Sequence, residues 1–73
     1  MWYFEITLDH ILVRRNISRR ELARKTGIRH ATINDLCNNT AKQLLFDNLA
    51  AICEELNVDV SDVIVLHKFE KRD

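Results

Sequence analysis

The chain of 73 residues contains no proline and only one glycine, Gly27. Punctuation this scarce excludes proline- or glycine-rich linkers, and neither internal repeats nor low-complexity segments occur. No apolar run approaches the roughly 20 residues that a membrane-spanning helix needs. The apolar opening Met1–Ile6 carries Glu5 and no basic leader, so it does not read as a signal peptide, and the expected location is cytoplasmic. Cysteine is limited to Cys37 and Cys53, without a C-x-x-C spacing, and both are expected as reduced core thiols. His10, His30 and His67 are scattered and form no ligand spacing, so neither a metal nor another cofactor is expected. There is no phosphate loop and no nucleophile beside a plausible base, so the chain is not expected to be an enzyme. No small-molecule ligand is evident. Net charge is absent too: 11 basic side chains balance 11 acidic ones.

What is present is the composition of a globular chain, 47% hydrophobic and 30% charged. At this length one domain spanning residues 1–73 is expected. Such a domain buries only about 60% of its unfolded surface, so burial against a partner matters.

Gly27 falls between two short stretches of helical periodicity, where a left-handed residue is most needed. Upstream, Arg19–Thr26 carries Leu22 and Ala23 as its apolar pair. Downstream, Arg29–Asn38 places Ile33 and Leu36 three apart on one face. Two helices of about two turns, joined by a turn of about three or four residues containing glycine, form a helix-turn-helix over about residues 19–38.

The remaining pattern fills in around this unit. Trp2–Ile6 is a strand candidate with Trp2, Phe4 and Ile6 on one face. Thr7 or Asp9 opens a first helix at 8–15 with Leu8, Ile11 and Leu12 inward. Asn16 and Ile17 connect it to Ser18, which caps the second helix in a capping box with Glu21. Asn38, Asn39 and Thr40 close the third helix, asparagine being the next-best residue for positive φ. A fourth helix at about 45–56 shows the stripe Phe46, Leu49, Ile52, Cys53 and Leu56, and ends at Asn57. Asp59 or Ser61 caps a short fifth helix near 60–65, Val65–Phe69 is a second strand candidate, and Lys71, Arg72 and Asp73 form a loose tail. The fold class expected is all-α: five helices, with terminal strands pairing as a small sheet that lies against the helices or joins a second subunit.

The zero net charge hides a strong segregation. Residues 14–30 hold Arg14, Arg15, Arg19, Arg20, Arg24, Lys25 and Arg29 against Glu21 alone, whereas residues 43–62 hold Asp47, Glu54, Glu55, Asp59 and Asp62 with no base. This reading makes one end of the molecule cationic and the other anionic, a polarity that orients a protein on a polyanion.

The stretch Ile17–Ile28, with Ala31, Thr32, Ile33, Asn34, Asp35 and Leu36 after it, reads I-S-x-x-E-L-A-x-x-T-G-I-x-x-x-T-I-x-x-L. It resembles the Cro and lambda-repressor-like helix-turn-helix family. The downstream F-D-x-L-x-x-I-C-x-x-L-N-V-x-x-S-D-V-I is similar to that family's fourth and fifth helices, and together they cover about residues 8–65. Each matched residue also has a physical role. Ala23 lets the helices approach, Gly27 takes the turn, and Ile28, Ile33 and Leu36 seat the third helix. The chain departs from the family pattern at Arg19, where glutamine is common, and at Asn39, where glycine is usual. Cys37 stands for a frequent glutamate, and Leu45 for a capping residue.

The resemblance implies double-stranded DNA as partner and a transcriptional regulator as function, a small phage-like repressor with its third helix in the major groove. With Ile33 and Leu36 inward, base reading is expected from His30, Ala31, Thr32, Asn34 and Asp35. Asn34 is matched to adenine, Asp35 to cytosine, Ala31 or Thr32 to a thymine methyl, and His30 to a guanine acceptor. Phosphate contacts are expected from Arg19 and Arg29 at two helix starts, and from Asn38, Thr40 and Lys42 in the following loop. Arg14, Arg15 and Arg24 add long-range field or are solvated. A homodimer is expected, with Trp2, Phe4, Val65, Leu66 and Phe69 as candidate interface residues. The alternative is an antitoxin or protein-binding adaptor with secondary DNA binding.

Overall fold

Hydrophobic period and end caps divide the chain much as the sequence suggests. The computed structural model describes residues 1–70; the tail Lys71, Arg72 and Asp73 lies outside the described residues. The order is β1 (Trp2–Ile6), α1 (Leu8–Arg15), α2 (Arg19–Thr26), α3 (His30–Cys37), α4 (Phe46–Leu56), α5 (Val60–Val63) and β2 (Ile64–Lys68). Among the described residues the fold is thus five helices with one small sheet.

Among the described residues, four left-handed ones end helices or their closing turns: Gly27 at φ 75°, and Asn16, Asn39 and Asn57 at φ 57°, 59° and 53°. Asparagine does at three places what glycine does at one, which is how a chain with a single glycine makes so many tight reversals. At the start of α2 the Ser18 hydroxyl accepts the Glu21 N–H at 3.0 Å, a cap worth about 1 kcal/mol. The capping box expected there is only half made, because the Glu21 carboxylate turns to Lys25 one helical turn on, at 3.6 Å. A full box forms instead on α5 between Asp59 and Asp62. Thr7 stands at the N-cap position of α1 without capping it. Its hydroxyl donates to the Asp62 carbonyl and its N–H to the Val63 carbonyl, both at 2.7 Å, which clasps the start of α1 to the end of α5.

The core is one cluster: Leu8, Ile11 and Leu12 of α1, Leu22 and Ala23 of α2, and Ile28 of the turn. Ile33, Leu36 and Cys37 of α3, Ile52 and Leu56 of α4, and Val63 of α5 complete it. Leu49 and Cys53 pack at its margin. Phe46 does not follow the stripe: it is 88% exposed. As the first residue of α4, its side chain leans toward the helix start, where no earlier turn exists to cover it.

β1 and β2 pair antiparallel, with Trp2 opposite Lys68, Phe4 opposite Leu66 and Ile6 opposite Ile64. The strands therefore pair within one chain. Only the inner end of this ribbon reaches the helices, through Ile6. Its outer end stands clear, with Trp2 at 62% and Phe4 at 65% exposure. Two cross-strand contacts reinforce that end: the Lys68 ammonium lies 5.6 Å from the Trp2 ring, and the Tyr3 and His67 rings stack at 5.1 Å.

Candidate nucleic-acid interface

α2 and α3 are set at a fixed angle by the Gly27 turn and by shared burial. Leu22 and Ala23 share one core with Ile33 and Leu36, and α2 packs on α3. The Thr26 hydroxyl donates to the Leu22 carbonyl at 2.7 Å and accepts the Ile28 N–H at 3.3 Å, stiffening the turn. With Ile33, Leu36 and Cys37 inward, the other side of α3 must face solvent. His30, Ala31 and Asp35 are exposed there, and Thr32 and Asn34 are half-buried.

These five residues are distributed around the outer surface of α3. Thr32 and Asp35 line a cleft with Thr40, Lys42, Gln43 and Asn48, between α3 and the loop before α4. Asn34 turns the other way, toward α2. There the Arg19 guanidinium donates from Nη1 to Asn34 Oδ1 at 3.1 Å, and from Nε and Nη2 to Asp9 Oδ1 at 3.4 and 3.2 Å. Of the five donors of a guanidinium, two are left for another acceptor.

Arg29, at the N-cap of α3, makes no side-chain cap and is exposed, as are Asn38, Thr40 and Lys42. The Thr40 hydroxyl rests on Asp35, 3.3 Å from Oδ1, and the Thr40 N–H donates to the Asp35 carbonyl at 2.9 Å. The loop after α3 is held in place by these bonds. Arg15, one of the long-range cations, donates instead to the Leu56 carbonyl and so caps α4.

The charge segregation of the sequence does not become two opposite ends. α2 packs on α4, and Lys25 shares a crevice with Glu54 and Glu55. Basic and acidic helices therefore sit side by side, while Arg29 and Lys42 lie outside that pairing.

Sequence reasoning missed Asp9, which it took for a helix-capping residue, and the cleft residues Gln43 and Asn48. The first depends on an interhelical contact and the others on a loop path, neither of which leaves a periodic signal. Of the expected dimer residues, Trp2, Phe4 and Leu66 share one face of the ribbon, and Val65 and Phe69 lie on the other. The Cys37 thiol is buried. Burial pushes its pKa above the ordinary thiol range, with nearby Arg19 acting in the opposite sense and Asp9 in the same one. No helix among the described residues is long and apolar enough to cross a membrane.

Two helices joined through a left-handed glycine, the second presenting an outward polar face, define a helix-turn-helix domain of the DNA-binding kind. The match extends well beyond that unit. Residues 7–68 match the Cro/C1-type HTH DNA-binding domain, and the chain belongs to this family. It is 34% identical over 59 residues to the uncharacterised HTH-type transcriptional regulator YozG of Bacillus subtilis (strain 168), covering 81% of this chain and 70% of that protein. It is also similar to the crystal structure of a Bacteroides fragilis protein assigned a DNA-binding role. That match has a TM-score of 0.76 and 28% identity, over 86% of this chain and all of the other.

Proposed function

We propose that this protein is a sequence-specific transcriptional regulator, a small phage-like repressor that lays α3 in the major groove of double-stranded DNA. The observation that carries the reading is the outward side of α3. His30, Ala31 and Asp35 are open to solvent and flanked by Thr32 and Asn34, with His30 and Ala31 at the helix end that reads bases in such domains. Arg29, Lys42, Asn38 and Thr40, with the two remaining donors of Arg19, hold the phosphates on either side. Phosphate contacts set position, and base contacts set sequence.

The chain acts as a single domain and binds as a homodimer, which doubles the contacts available to so small a reader. The ribbon face formed by Trp2, Phe4 and Leu66 is the surface that the second copy covers. Two-fold symmetry then asks for half-sites about 34 Å apart.

Selection of bound duplexes from a random library tests the reading. A palindromic consensus is expected, and placing it over a promoter is expected to lower expression of a reporter in cells carrying the protein. Recovery of no consensus overturns sequence-specific binding, and increased expression overturns repression. Sedimentation of a monomer at high micromolar concentration, with and without duplex, overturns the dimer.

A further inference from the structure

Asp9, in the first turn of α1, Arg19, at the start of α2, and Asn34, in the middle of α3, form one chain of contacts across three helices. Asp9 Oδ1 accepts from Nε and Nη2 of Arg19, and Arg19 Nη1 donates to Asn34 Oδ1. A guanidinium has donors only, so the amide atom that meets it must be the oxygen. The amide nitrogen of Asn34 is thereby turned away from Arg19, and among the described residues it has no hydrogen-bond partner.

That orientation bears on which base Asn34 reads. An asparagine that recognises adenine uses both ends of its amide, accepting from N6 and donating to N7. Here the accepting end is turned onto Arg19, toward α2, and the Nδ2 donors are the end left for a base. The base edge that suits them is one with acceptors alone, and in the major groove guanine, with N7 and O6, presents that edge.

We propose that Asp9 is a specificity-determining positioning residue. Through Arg19 it fixes the Asn34 amide as a donor toward the groove, so the base pair that Asn34 reads carries guanine rather than adenine. The proposal rests on the groove reading given above. Without the carboxylate, Arg19 is released, Asn34 is free to rotate, and the two-ended adenine contact becomes available. Asp9 and Arg19 are both partly open to solvent. Such pairs contribute little to stability, so removing the carboxylate is expected to change readout and leave the fold intact.

The test compares duplexes selected from a random library by the full chain and by Asn34→Ala, Asp9→Ala, Asp9→Asn and Asp9→Glu, with thermal unfolding of each. Asn34→Ala identifies the base pair concerned by losing preference there alone. At that pair the wild type is expected to favour guanine over adenine by roughly tenfold. Asp9→Ala and its near-isosteric counterpart Asp9→Asn are expected to lose or reverse that ratio at an unchanged unfolding midpoint, and Asp9→Glu to restore guanine. A wild type that prefers adenine at that pair overturns the proposal, as does guanine preference that survives in Asp9→Asn. Uniform weakening on all duplexes with a lowered midpoint assigns Asp9 to structure alone and also overturns it. In each of these cases the groove reading stands. If the wild type selects no sequence at all, the groove reading falls and this proposal falls with it.

Discussion

The side-chain amide of Asn39 pairs with the backbone of Ile6 as a neighbouring strand would. Its Oδ1 accepts the Ile6 N–H at 2.6 Å, and its Nδ2 donates to the Ile6 carbonyl at 3.0 Å. Asn39 also holds φ 59°, so one residue both reverses the chain after α3 and ties the loop to β1. Replacement by glycine keeps the reversal and loses the tie. Asn39→Gly is expected to cost about 1 kcal/mol in urea unfolding, with faster hydrogen exchange at the Ile6 amide. Asn39→Ala adds the strain of positive φ, about 1 kcal/mol more.

Gly27 gives a complementary case. At φ 75° a side chain is strained, yet a Cβ placed there meets nothing within 4 Å. The demand for glycine is therefore conformational, not steric. Gly27→Ala is expected to lose about 1–2 kcal/mol of unfolding free energy. Asparagine already serves at three comparable positions in this chain. Gly27→Asn is accordingly expected to lose less than about 1 kcal/mol and to bind duplex as the wild type does.

The helices were legible because each rule that sets them acts over a few residues. Ile33 and Leu36 phase α3, Leu22 and Ala23 phase α2, and left-handed asparagines end the elements where the apolar stripe stops. The outward side of α3 followed from that phase alone. The same local rule misplaced Phe46, because periodicity says which side of a helix a residue is on and not whether a neighbour covers that turn. Contacts between helices were invisible for a related reason. Asp9 meets Arg19, and Arg19 meets Asn34, only once α1, α2 and α3 have packed at their final angles. Charge was misread by the same omission: basic and acidic stretches distant in the chain became the adjacent helices α2 and α4. For the ribbon, alternation correctly put Trp2 and Phe4 on one face but was silent on how little of that face the helices reach.

Ile33 and Phe46 offer a contrast between two apolar residues that periodicity treats alike. Ile33 has no exposed surface and sits where α2 and α3 meet. Ile33→Ala is expected to lose about 2–5 kcal/mol through the cavity it leaves. Phe46→Ala removes a larger side chain from solvent and is expected to stay within about 0.5 kcal/mol. Equal losses for the two in urea unfolding would place Phe46 in a packed environment.

The raised pKa of Cys37 has a sign that can be measured. In the unfolded chain the thiol releases its proton near the ordinary value of about 8.5, while in the folded protein burial holds the proton on. Above that pH the folded state binds more protons than the unfolded one, so stability falls as pH rises and is unaffected well below it. Between about pH 8 and 10, Cys37→Ala is expected to show a shallower decline than the wild type, whatever its stability at pH 7. A decline of equal slope would remove the thiol as its source. Cys53, whose pKa is also raised by burial and then by Asp59 and Asp62, accounts for part of the slope that remains.

In the proposed reading, Arg29 and Ala31, two positions apart at the start of α3, separate the two kinds of DNA contact. Arg29 is exposed at the N-cap of α3 and carries no intramolecular cap, so its charge is available to a phosphate beside the groove. Each phosphate neutralised releases condensed counterions, and the logarithm of affinity then falls with the logarithm of salt by about 0.9 per contact. Arg29→Ala is expected to weaken selected and random duplexes by the same factor and to flatten that slope by about 1 for each copy bound. Ala31→Gly removes one methyl and no charge. It is expected to leave the slope unchanged and to relax preference at a single base pair, that of the thymine methyl the side chain would touch. Fluorescence anisotropy on one selected and one scrambled duplex, across a salt series, distinguishes the two. If Arg29→Ala alters sequence preference and leaves the slope alone, the N-terminus of α3 points at bases rather than backbone, and the helix lies deeper in the groove than proposed.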